Sequence, residues 1–233
     1  MLLGGYDILG YQTQIEDSHE AILEESHTLG DAWREQAYVG VRQADFSQDG
    51  FYDDAANANH DALSTGPGVS RVLCLGLGGT ATGARFTGYA GAMQVNYHRM
   101  VSRGALHKAR ATYRGNGVVD EGRILWTLKG TAASSTNSGS VDAGASSTGG
   151  AGYLQVTSFT SAALATAILA RVQHSSDDVT FADLISFTAA TAAPAAQRIQ
   201  TTAVVERYLR MAASYQGGAA PTTATMFVGF ARY

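Results

Sequence analysis

The sequence predicts a mainly β fold: a first domain built as a β-barrel or sandwich with one short helix, then a second, smaller β-sandwich domain. Three observations lead there. Charged residues make up only 15% of the 233-residue chain, against 45% apolar. A typical domain has about a quarter charged residues, so a chain this poor in charge and rich in Ala, Gly, Ser and Thr is expected to be β-rich, to hide surface in an assembly, or both. Short runs of alternating apolar and polar residues recur between glycine-bearing turns. Finally, the segment Gly130 to Gly152, "GTAASSTNSGSVDAGASSTGGAG", has no large apolar side chain except Val141. Such a segment buries too little surface to offset its ordering entropy and reads as a flexible linker. The expected organisation is residues 1–130, a linker over 131–152, and residues 153–233.

In the first domain, "DAANANHDALSTG" is the helix candidate, with Asp54 or Asn57 as cap and Gly66 and Pro67 as stop. "FTGYAGAMQVNYHRMV" places Met93, Val95, Tyr97 and Val101 at period two, with Gln94, Asn96 and His98 on the other face. "LHKARATYRG" follows after the short turn "SRGA", a hairpin signal. "RILWTLK" is a further strand, with Ile124, Trp126 and Leu128 in phase. In the second domain "YLQVTSF", "RYLRMAASY" and "TMFVGFARY" read as strands, the last with Met226, Val228 and Phe230 on one side. "SFTSAALATAILARVQHS" fits a helix by its alanines and a strand by its period through Ile168, Ala170 and Val172.

Charge and chemistry exclude more than they propose. The net charge of −4 argues against a general affinity for nucleic-acid phosphates. The basic residues Arg99, Arg103, Lys108, Arg110 and Arg114 fit a salt-bridged interface or solvated sheet face better than a nucleic-acid patch. From Asp7 to Asp61 there are 13 acids and two bases, and from Arg71 to Lys129 nine bases and two acids. The two halves either form separate solvated faces or pair across a subunit boundary. The lone cysteine, Cys74, sits among apolar neighbours and reads as a small buried hydrophobe. The six histidines lack helical zinc spacing, although His98 and His107 lie on opposite arms of the proposed hairpin. "LGLGGTATGARFTG" lacks the Lys-Ser/Thr ending of a phosphate loop, and "SQDGFYDDAANANHD" lacks the ligand order of an EF-hand. No nucleophile elbow or triad stands out. The expectation is a non-enzyme with no cofactor, no signal peptide and no membrane span, made in the cytoplasm.

Two stretches resemble the siphophage tail-tube (major tail) proteins. Glu24 to Leu63, "EESHTLGDAWREQAYVGVRQADFSQDGFYDDAANANHDAL", is similar to that family's strand followed by a T-x-G-D-x-W-R-E segment, a second strand, a G-x-x-D turn and a short helix. The matching residues are Thr28, Gly30, Asp31, Trp33, Arg34 and Glu35, then Gly50 and Asp53. Gly149 to Tyr233, with "GYLQVTSF", "VQHSSDDVTFADLISFTA" and "FVGFARY", looks like the C-terminal decoration domain of several such proteins. Together the stretches cover about half the chain. One departure is that "QAYVGV" follows "WRE" where the family pattern has a Pro-Gly turn.

The resemblance implies a virion tail protein whose copies form rings, hexameric in the family, stacked into a hollow tube for the genome. It also implies contact with other tail proteins and passage of DNA without specific binding. Ser26 to Gly40 would reach the next ring, with Trp33 as apolar anchor and Arg34 and Glu35 as polar rim. Thr28, Gly30 and Asp31 complete that candidate inter-ring set. The hairpin at Thr87–Gly115 would enter an inner β-barrel, through Met93, Val95, Tyr97, Arg99, Lys108 and Arg110. The C-terminal domain would sit outside the tube and touch cell-surface glycans weakly, through Tyr153, Tyr208 or Tyr215. The rivals are a head-decoration or head–tail connector protein and a carbohydrate-binding module.

Overall fold

The computed structural model describes residues 1–25, 36–76, 78–130, 135–160, 167–216 and 223–233, with side chains except at 36–41, 128–130, 135 and 223. Its strands are β1 (Leu2–Leu3), β2 (Tyr6–Asp7), β3 (Gln12–Glu25), β4 (Gln36–Phe51), β5 (Ser70–Leu75), β6 (Arg85–Met100), β7 (Lys108–Gly115) and β8 (Val119–Gly130). Then come β9 (Ser135–Asn137), β10 (Val141–Asp142), β11 (Ser147–Thr160), β12 (Ala167–Ser175), β13 (Ala182–Ser186), β14 (Ala195–Val205), β15 (Tyr208–Gln216) and β16 (Thr223–Arg232). Among the described residues the one α-helix, α1 (Asn59–Ser64), lies between β4 and β5, and a 3-10 turn spans Leu9–Tyr11. The fold is mainly β and antiparallel, as the alternating runs require. The ambiguous alanine-rich stretch is a strand over Ala167–Ser175, with Ile168, Ala170 and Val172 buried.

The strands form two sheets. The larger runs β14-β11-β16-β8-β6-β5-β1-β2, and β7, β4 and β3 branch from β6. β6 is the fork: Arg85–Tyr89 pair with β8 and Ala92–Met100 pair with β7. The smaller sheet runs β10-β15-β12-β13, with β9 also on β15. It packs on the β11, β16 and β8 end of the larger sheet. The core between them holds Leu125, Leu154, Val156, Met226, Val228 and Phe230 from one side and Ile168, Val172, Leu209 and Met211 from the other. A second core, drawn from residues 1–119, sits under α1. A third small cluster, Leu2, Cys74, Phe86, Ile124, Ala151, Tyr153 and Phe227, lies between them.

The expected linker is largely built into these sheets. β9, β10 and the first residues of β11 fall inside 131–152, a cut at 152/153 would split β11, and β8, placed in the first domain, serves the C-terminal sandwich. The composition misleads because small residues here serve close packing. A Cβ on Gly150 would lie 2.5 Å from the Ala231 carbonyl oxygen and from Phe230, and one on Gly152 would lie 3.0 Å from Phe187.

The helix is shorter than expected. Its N-cap is Ala58, with no side-chain cap bond, in place of Asp54 or Asn57. Asn59 organises the entry: its Oδ1 accepts from the Asp53 N–H at 3.0 Å, and its Nδ2 donates to the Phe51 carbonyl. Ala62 and Leu63 pack into the N-terminal core.

A buried polar knot joins β6, β8, β11 and β14. Tyr153 Oη donates to Asp120 Oδ2 at 2.5 Å and lies 3.1 Å from the Gly88 carbonyl. Arg198 reaches the same carboxylate oxygen at 2.8 Å and donates to Tyr153 Oη at 3.0 Å. Burial, then the bond to Asp120, push the Tyr153 phenol well above its ordinary value. Cys74 is also shut away. Burial lifts its thiol to about 12, leaving it no nucleophilic role.

Candidate assembly interface

The four strands β3-β4-β7-β6 form the part of the fold with a free face. One face is covered by α1 and the N-terminal core through Ala44, Phe46, Ala109, Ala111 and Tyr113. Pairing places Glu16, Ser18, Asp45, Ser47, Asp49, Lys108, Arg110, Thr112 and Arg114 on the other. There Arg110 pairs with Asp49 at 3.0 Å and Arg114 lies 3.7 Å from Asp45. Part of the charge asymmetry between the two sequence halves is therefore satisfied within the chain, across β4 and β7.

The expected alternation along the hairpin fails at one residue. Met93 stands opposite Arg114 on the open face, and Gln94 stands opposite Tyr113 on the covered face. The register then slips between Gln94 and Asn96, so Val95 is the extra residue of a bulge. Beyond it Tyr97 faces Ala111 and Arg99 faces Ala109, on the covered side. Met93, Val95 and Tyr97 thus do not share a face. Of the six hairpin candidates, Met93, Lys108 and Arg110 belong to the open face.

Gln94 is the residue that period reasoning missed. It is fully buried and donates to the Leu63 carbonyl at 2.8 Å, tying α1 to the sheet. Gly66 makes room for it, since a Cβ there would overlap Gln94 Oε1. Tyr97 Oη and His60 Nδ1, 2.9 Å apart, add a second tie to α1. His98 lies opposite Arg110, while His107 packs near Tyr52, with ring centres 6.4 Å apart. No cluster of three or more metal-ligating side chains occurs among the described residues.

The sheet ends unequally. β7 pairs with β4 only over Asp45–Phe51, while β3 and β4 stay paired out to Glu25 and Gln36. Beyond Asp45 the two strands form a ribbon. Every β3 residue from His19 to Glu25 is exposed, including Ile22 at 40% and Leu23 at 49%. The inter-ring candidates Thr28, Gly30, Asp31, Trp33, Arg34 and Glu35 lie outside the described residues. At the opposite end the β6–β7 connection exposes Val101 at 68% and Leu106 at 70%.

At the ribbon's base His19, Asp17 and Tyr89 interlock. Tyr89 donates to Asp17, and His19 Nε2 lies 3.1 Å from the phenol. Burial, then the Asp17 bond, raise the Tyr89 phenol far above its ordinary value.

Comparison with known proteins gives outlines only. No family model and no curated protein matches the chain. Among solved structures, the tail of an empty gene transfer agent particle, refined with C6 symmetry, overlaps 51% of this chain and 92% of its own at 15% identity and a TM-score of 0.38. A native gene transfer agent virion overlaps 52% and 93% at 16% identity and TM-score 0.36. The SPP1 Dit (gp 19.1) protein, described as a hub adsorption apparatus paradigm in phages infecting Gram-positive bacteria, overlaps 100% and 98% at 10% identity and TM-score 0.33. Superpositions this loose do not assign a role.

Proposed function

We propose that this chain is a non-enzymatic virion protein, a tail-tube subunit whose copies join side by side into rings and end to end into a hollow conduit for DNA. One observation carries the reading: the β3-β4-β7-β6 segment is open at both edges. Among the described residues β3 pairs only with β4, and β6 beyond Gln94 pairs only with β7. Long unpaired edges invite pairing with another chain. The segment has four antiparallel strands, so β3 of one copy laid on β6 of the next continues the alternation without a break. Such a head-to-tail contact closes into a ring when its rotation permits, and closure pairs both outer edges of the segment. The number six comes from the family resemblance of Glu24–Leu63.

The two ends of the segment support stacking. An isolated two-stranded ribbon is marginal in water and needs a partner. The described part of this one carries Glu20, Glu24 and Glu25 beside Ile22 and Leu23. At the far end, His98 to Lys108 contain Arg99, Arg103 and Lys108 and no acid. An acidic apolar end facing a basic apolar end fits copies placed one above another. The open face suits a lumen. Glu16, Glu20, Asp45 and Asp49 against Lys108, Arg110 and Arg114 leave one net negative charge, and two of the cations are held by acids. Such a wall has little to hold phosphate with.

Electron microscopy of the concentrated protein tests this. Long hollow tubes with a regular axial repeat are expected, and Arg103→Glu with Lys108→Glu should leave rings that do not stack. Rings of unaltered protein that never stack would transfer the reading to a decoration or connector protein. Monomers at every concentration, with or without added tail extract, would end it.

A further inference from the structure

The outer rim of the C-terminal sandwich holds a cleft of about 270 Å³ whose charges are not balanced. Arg85, Arg123 and Arg232 line it, beside Ala143 and the buried side chains of Leu209 and Phe230. Arg85 and Arg123 are directly opposite each other on β6 and β8. Like charges at that separation repel unless something between them is negative. The one carboxylate in the wall, Glu121, is engaged by the Thr87 hydroxyl at 2.7 Å and makes no ion pair with either arginine.

The three arginines differ in what they do. Arg232 is structural: its guanidinium donates to the Ala145 carbonyl at 2.5 Å and the Arg207 carbonyl at 3.0 Å, while its buried Nε has no partner. Arg123 spends one N–H on the Gly83 carbonyl at 3.0 Å. Arg85 has no hydrogen bond or ion pair among the described residues. Two exposed guanidinium forks with donors to spare therefore line one cleft from directly paired positions on β6 and β8. In a chain of net charge −4 this is a local feature, since the bulk charge repels anions.

We propose that this cleft binds an oxyanion, a phosphoryl or carboxylate group of a small organic molecule, held by Arg85 and Arg123. Planar guanidinium forks match the paired oxygens of both groups. The cleft falls just short of the about 300–1,000 Å³ of drug-sized pockets, which suits a sugar acid or sugar phosphate rather than a larger ligand. Phosphoryl and carboxylate groups both occur on surface polysaccharides, and the first also occurs free in solution. The site lies apart from the open sheet edges and stands or falls independently of tube assembly.

Isothermal titration of the full chain at constant ionic strength, with inorganic phosphate, glucuronate and neutral glucose as separate probes, decides it. Saturable binding is expected for at least one of the two anions and none for glucose. Tighter glucuronate binding would identify a sugar acid, and tighter phosphate binding a phosphoryl ligand. Arg85→Gln and Arg123→Gln should each weaken binding by about tenfold or more, the worth of one charge-assisted hydrogen bond. Arg85 is exposed, so its variant should fold normally. The proposal fails if neither anion saturates at millimolar concentration, if both variants bind as the unaltered chain does, or if glucose binds equally well.

Discussion

Removing Arg198 should be among the most damaging single changes to stability. The Asp120 side chain is 1% exposed and that of Arg198 is 13% exposed, so water cannot replace the guanidinium. Arg198→Met would strand the carboxylate with only the neutral hydroxyls of Tyr153 and Tyr233 beside it. Breaking a buried pair by removing one member costs about 3–5 kcal/mol. At about 2–4 °C per kcal/mol for a chain of this size, the melting temperature should fall by about 6–20 °C. Urea unfolding at pH 7, followed by far-UV circular dichroism on protein kept monomeric, measures it. Asp120→Leu combined with Arg198→Met should recover most of the loss, because an apolar pair leaves no orphaned charge. A loss below about 1 kcal/mol for Arg198→Met, the scale of a surface pair, would refute the reasoning and mean that the knot is open to solvent.

Gly150→Val should destabilise by about 1–3 kcal/mol through overpacking, since its Cβ would strike the Ala231 carbonyl and Phe230; a neutral result in the same urea assay would restore the linker reading. Tyr89, Tyr113 and Tyr153 have phenols raised by burial, so stability should be intact below the ordinary tyrosine value of about 10 and fall as pH rises above it. Spectrophotometric titration should show these three of the 11 tyrosines ionising only as the chain unfolds. Asp142, held by Arg207, titrates at about 2; its lowered value means that the stabilisation is whole above the ordinary carboxylate range and lost as pH falls through about 2. Carbon-13 NMR of the carboxyl should show that midpoint, and Arg207→Gln should move it upward.

How far the sequence could be read depends on whether a residue's neighbours are near in the chain. The run Met226, Val228, Phe230 declares a strand and its buried face, and all three do enter the sandwich core. The hairpin was legible as a hairpin, with Lys108 to Gly115 paired back on Ala92 to Met100. Its face was not, because one extra residue at Val95 reverses every later side chain. Nothing local announces that bulge. The reason lies in α1, which takes Gln94 as its tether through the Leu63 carbonyl and Gly66.

The Gly-rich segment shows the same limit from another side. Composition reports that Gly149 to Gly152 carry little surface to bury, which is true of a chain considered alone. It is silent on the Phe230 and Phe187 rings that occupy the space the missing side chains leave. A strand can thus be specified by the bulk of its partners. A glycine run next to a run of alternating apolar residues, as here before "YLQV", is then better read as the close-packed start of that strand than as the end of a linker. The assembly reading extends this logic to a second chain. Ile22 and Leu23, exposed on a two-stranded ribbon open at both edges, make physical sense once the missing neighbours are other copies of the chain.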